Sequence, residues 1–94
     1  MDKILQKVKK VLKEEFPSAK LEITRDSELS KVGGFIIWRG FNGKEMIERQ
    51  ERVWKAIRRS MTPAEQEELS FFFAYKPIER KVMLEQLALD EKLG

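Results

Sequence analysis

Six basic side chains gather around one stretch of this chain: Arg39, Lys44, Arg49, Arg52, Arg58 and Arg59. Guanidinium and ammonium groups donate charge-assisted hydrogen bonds to phosphate oxygens, so the first chemistry they suggest is contact with a polyanion. Residues 44–60 hold six basic side chains against three acidic ones, and residues 61–94 reverse the balance with four against seven. The overall charge of +3 therefore hides a basic first part and an acidic last part, a pattern suited to one-sided polyanion binding or to an ordinary soluble surface. Within the cluster, Arg49, Arg52 and Lys55 follow Glu45, Glu48 and Glu51 at i,i+4 spacing. Pairs in that order stabilise a helix by about 0.2–0.5 kcal/mol each and read as a salt-bridged, solvated face. Arg58 and Arg59 follow Trp54 and Lys55 and have no such acid. With Arg39 and a Lys3/Lys7/Lys10 stripe, they carry the expectation of weak nucleic-acid contact.

Other chemistry is thin. The chain has no histidine and no cysteine, which removes most metal sites and most acyl-transfer nucleophiles. A Ser–Lys pair or a carboxylate dyad stays open in principle, but Glu67 and Glu68 diverge on a helix, and Glu14 and Glu15 read as ordinary surface residues. No enzyme activity, metal or cofactor is expected. The lack of cysteine gives no sign of an oxidising compartment. Apolar runs such as Phe35–Trp38 and Phe71–Tyr75 reach four or five residues, far below the roughly 20 of a membrane span. A soluble cytoplasmic domain occupying 1–94 is the default.

The elements that must position these residues follow from periodicity. Ile4, Leu5, Val8, Val11, Leu12 and Phe16 recur at helical spacing, and Pro17 stops the helix. Leu21 to Arg25 alternates, predicting a strand with one buried face. Ser27 to Gly34 reads as a connection. Phe35 to Trp38 is apolar at both parities, as in a strand covered on both faces. A second helix carries Met46, Ile47, Gln50, Val53, Trp54 and Ile57. Thr62, Pro63 and Glu65 predict a short capped helix, with threonine as cap and glutamate reaching back. Ser70 to Tyr75 is again a strand apolar on both faces, and Pro77 opens a last helix. The order α-β-β-α-α-β-α implies an α+β domain with a mixed three-stranded sheet. The first two strands pair as a hairpin, and a right-handed crossover places the third parallel to the second, in order 1-2-3. The helices lie mainly on one face. Ile36, Trp38, Phe72 and Ala74 are assigned to the other, so Ile36, Trp38 and Phe72 are the expected partner interface unless the last helix folds over them.

Gly40, Phe41, Asn42 and Gly43 spell the G-x-x-G of RNA-clamping domains, but that loop must join two helices. Here it follows a strand, so it reads as a turn into the second helix. With Lys44, and with Ile47, Arg49, Val53 and Ile57 beyond it, the Phe-x-Gly-Lys turn and the element order resemble the BolA-like family and its class II KH-like fold over most of residues 1–78. The resemblance implies a regulatory or adaptor domain. It also implies a histidine on this helix that shares an iron–sulfur cluster with a monothiol glutaredoxin. Gln50 stands at that position, followed by Glu51 instead of arginine. A neutral carboxamide is a poor iron ligand, so the glutaredoxin partnership is not expected. Two functions remain: a regulatory or adaptor domain with weak nucleic-acid affinity, or a protein-interaction or homodimerisation module.

Overall fold

A computed structural model describes residues 2–93. The first helix, α1 (Lys3–Glu15), starts at Asp2, whose carboxylate accepts the Leu5 N–H at 3.1 Å. Its apolar stripe buries Val8 and Leu12, and Phe16 closes the end. Strands β1 (Lys20–Arg25) and β2 (Val32–Ile37) form an antiparallel hairpin with Leu21 opposite Ile36 and Ile23 opposite Gly34. A 3₁₀ turn over Arg39–Phe41 leads to α2 (Met46–Ser60), and a short α3 (Pro63–Gln66) follows. Strand β3 (Leu69–Tyr75) pairs parallel with β2, giving the order β1-β2-β3, and α4 (Pro77–Leu93) follows. The α+β class, the mixed sheet and its strand order agree with the sequence reading.

Strand β2 begins at Val32, not after Gly34, so the expected connection is shorter. Two glycines are tolerated there because the backbones crowd. A Cβ on Gly34, at φ +147°, would overlap the Glu22 carbonyl oxygen, and one on Gly33 would overlap Ser70. Opposite them, β3 carries an extra residue: Val32 pairs with Leu69 and Gly34 with Phe72. Such a bulge switches the phase of the strand. Leu69, Phe72 and Ala74 all point inward, although Leu69 has the other parity from Phe72.

One core lies between the sheet and the helices α1 and α2. It holds Val8, Leu12, Phe16, Ile23, Val32, Ile36, Val53, Ile57, Phe72 and Ala74. This corrects the face assignment made from sequence. Ile36 and Phe72 are fully buried beneath α1 and α2 and are not a partner interface. Trp38 is half-buried beside the same core. Its ring packs 5.2 Å from both Phe16 and Phe41, and its indole N–H donates to the Pro17 carbonyl at 3.0 Å. Gly40 is small because a Cβ there would strike the Trp38 ring, and Gly43 takes φ +80°. The Gly40–Gly43 segment is thus a strand-to-helix turn around buried Phe41.

Candidate interaction surface

The face of the sheet turned away from α1 and α2 is the open one. Across β2 and β3 it carries Phe35, Phe71, Phe73 and Tyr75. Phe35, Phe73 and Tyr75 form a triangle, with every pair of centroids 5.6–5.7 Å apart and planes within 28° of parallel. Phe71 adjoins Phe73 at 5.0 Å, tilted by 55°, and is 56% exposed. The four rings make one contiguous aromatic cluster on this face.

Helix α4 covers only one end of this cluster. Arg80 lies over the Phe35 ring at 4.3 Å and bonds Glu22 on β1 at 2.6 Å. That hydrogen bond holds the Glu22 carboxyl below its ordinary range. Glu79 anchors the other side of the first turn: it accepts from the Lys76 N–H at 2.8 Å and from Arg49 at 2.7 Å. Burial pushes the Glu79 carboxyl up, but those two donors outweigh it and the pKa falls below the usual value. Beyond this turn, Ile78, Val82, Leu84, Leu87 and Leu89 are each 50–58% exposed. Leaving half of each such side chain in water forgoes on the order of 1 kcal/mol per residue. An open groove of about 530 Å³ runs beside Tyr75, Ile78, Val82, Met83 and Leu87. Contiguous apolar surface of this kind marks an interaction site in a folded domain.

The edge beside this face is closed. Gln50 reaches from α2 to the outer side of β3, where its side-chain N–H donates to the Phe72 carbonyl at 2.6 Å. Its carbonyl accepts the Ala74 N–H at 2.9 Å. The carboxamide thus stands in for a fourth strand and protects an edge that would otherwise template pairing with another chain. Arg49 donates to the Lys44 carbonyl at 2.9 Å and the Ala74 carbonyl at 3.2 Å, besides Glu79. Both polar atoms of the Gln50 amide are therefore engaged in backbone bonds.

The basic cluster is reorganised by these contacts. Arg49 is only 5% exposed, and its place in the interior removes it from any phosphate-binding surface. None of the three i,i+4 pairs expected along α2 forms. Arg52 and Arg59 instead share Glu15 of α1, at 3.1 and 2.9 Å, and Arg52 also stacks over Phe16 and Trp38. Burial raises the Glu15 pKa and the two arginines more than offset it, leaving it low. Lys7 is held by Glu65, which is also the reciprocal residue of the expected Thr62 capping box. Arg39, Lys44 and Arg58 are exposed, with no carboxylate partner among the described residues. They sit before α2, at its entry and in its last turn, so they do not converge on one patch.

Sequence reasoning missed the outward phase of Phe35, Phe71, Phe73 and Tyr75, and it did not resolve that apolar residues on both sides of α4 stay exposed. The apolar content of those strands was visible, but their phase was not. Among the described residues no group of three acidic, histidine or cysteine side chains converges as a metal site, and no helix is long and apolar enough to cross a membrane. Set against protein-family models, curated proteins and solved structures, the chain matches none of them.

Proposed function

We propose that this chain is a non-enzymatic adaptor domain, BolA-like in element order, that engages a protein partner through the open sheet face and α4. The observation that carries this reading is the cluster of Phe35, Phe71, Phe73 and Tyr75 rings beside the half-exposed apolar side chains of α4. A nucleobase platform needs flat ring faces turned to solvent, and here the guanidinium of Arg80 lies over the Phe35 face. Close-packed rings beside aliphatic side chains suit the apolar ridge of a protein partner. The dispersed positions of Arg39, Lys44 and Arg58 favour protein over polyanion for the same reason.

The test is site-specific photo-crosslinking in cells. A benzophenone side chain replaces Phe71, and a control carries it at Ile47, an exposed α2 position 66% open to solvent. Protein adducts at position 71 that are lacking at position 47 are the expected result. Adducts to nucleic acid alone at position 71, or equal protein adducts at both positions, overturn the proposal.

A further inference from the structure

Strand β3 ends at Tyr75 and α4 begins at Pro77, so Lys76 alone joins them. So short a connection disfavours a reversal of chain direction, since strand–helix loops commonly take about two to six residues. In the structure the bonds from α4 to the β1–β2 hairpin end at Arg80. The open face lacks a cover and the helix lacks a groove, and both defects lie on one chain. We propose that a second copy of this chain covers the face, each copy laying its α4 across the aromatic cluster of the other in a two-fold dimer. The inference rests on the interaction-surface reading above and names its partner.

Three features fit that occupant. The first is size: the 17 residues of α4 span about 25 Å, and the seven of β3 span about 23 Å. A single helix, about 10–12 Å across, matches the width of a three-stranded sheet. The second is the distribution of apolar residues around α4. Ile78, Val82 and Leu89 share one side, and Leu84 and Leu87 lie on the opposite side, all half-exposed. A helix apolar on both flanks is one meant to be enclosed. In a two-fold dimer one flank meets the partner's sheet and the other meets the partner's α4. The third is charge. Between Lys81 and Lys92 the helix carries Glu85, Asp90 and Glu91 and no cation. At the Pro77 end of the sheet face stand exposed Lys20 and Arg39, neither of which holds a carboxylate among the described residues, while Asp26 and Lys31 stand at the Phe71 end. Opposite charges brought together in this way also set the register of two identical surfaces.

Light scattering on the purified full chain across a concentration series tests the state of association. The expected mass approaches about 22 kDa, twice the 11.1 kDa of one chain. Val82→Lys and Leu87→Lys each weaken the dimer by about tenfold or more, and unchanged circular dichroism shows that these exposed changes leave the fold intact. Isotope-filtered NOEs between labelled and unlabelled copies place the contact: Phe71 and Phe73 ring protons should reach the methyls of one α4 flank of the other copy, Val82 or Leu87, and the methyls of the opposite flank should reach the other copy's α4. A monomer at every concentration overturns the inference, as do intermolecular NOEs confined to α1, α2 or the β1 edge. If the protein is monomeric while a crosslinker at position 71 captures a different protein, the second copy is refuted and the adaptor reading stands. A monomer that captures nothing refutes both.

Discussion

Replacing Gln50 with alanine should unravel the outer edge of the sheet. The wild-type amide makes two bonds to β3, donating to the Phe72 carbonyl at 2.6 Å and accepting from the Ala74 N–H at 2.9 Å. Phe72 and Ala74 are both fully buried, so the alanine variant strands a carbonyl and an amide away from solvent. Each lost hydrogen bond removes about 0.5–1.5 kcal/mol net, and an orphaned buried group costs about 1–3 kcal/mol. Together these give a loss of about 2–4 kcal/mol, the lower end applying if water enters the vacated space. That is a large share of the roughly 5–15 kcal/mol typical of a domain. At about 4–8 °C per kcal/mol, the melting temperature should fall by at least about 8 °C. Urea unfolding followed by tryptophan fluorescence measures the loss directly. Gln50→Glu supplies a second reading. Its carboxylate still accepts from Ala74 but faces the Phe72 carbonyl, and repulsion and burial raise its folded pKa above the unfolded value. The deficit of this variant should therefore shrink as pH falls through that raised pKa, when the acid becomes a donor. If both variants stay within about 0.5 kcal/mol of wild type, a difference no larger than a surface change, the edge-closing role of Gln50 is wrong.

Acid should destabilise the protein from about pH 4.5 downward. Arg25 brings Asp2 to about 2, and Glu15, Glu22, Glu65 and Glu79 all lie below the 4.5 of an unperturbed glutamate. Depressed carboxylates contribute stability that is full above the unfolded value and lost as pH falls through the folded one, so a midpoint of urea unfolding that is flat from pH 6 to about pH 2 would contradict these pairings. Truncation should separate the two ends of α4. Stopping after Met83 keeps Glu79 on Arg49 and Arg80 on Glu22, and should cost only the stability that the dimer adds. Stopping after Lys76 strips the partner from buried Arg49 and should cost about 3–5 kcal/mol; equal melting temperatures for the two truncations would refute that division.

Much of the architecture was legible in local patterns. The α1 stripe of Val8, Leu12 and Phe16, the stop at Pro17 and the Thr62–Glu65 capping box each depend on residues within a turn or two of one another. Strand order followed from the same logic, since a hairpin and a right-handed crossover leave few arrangements of three strands. The surface was decided at longer range. Both parities of Phe35–Trp38 and of Phe71–Tyr75 are apolar, so hydropathy alone left the inward phase open. The bulge opposite Gly33 and Gly34 then set Phe72 inward and Phe71 and Phe73 outward. Charge pairing behaved in the same way. Glu45, Glu48 and Glu51 stand at the right spacing to hold α2's cations, yet Arg49 went to Glu79, and Arg52 and Arg59 to Glu15. An exposed i,i+4 pair is worth only tenths of a kcal/mol, whereas Arg49 in the interior satisfies two backbone carbonyls and a carboxylate at once. Sequence spacing thus determined the elements and their order. Which aromatic residues face solvent, and which cations stay free, was settled only when distant segments packed, because those contacts outweigh the local ones.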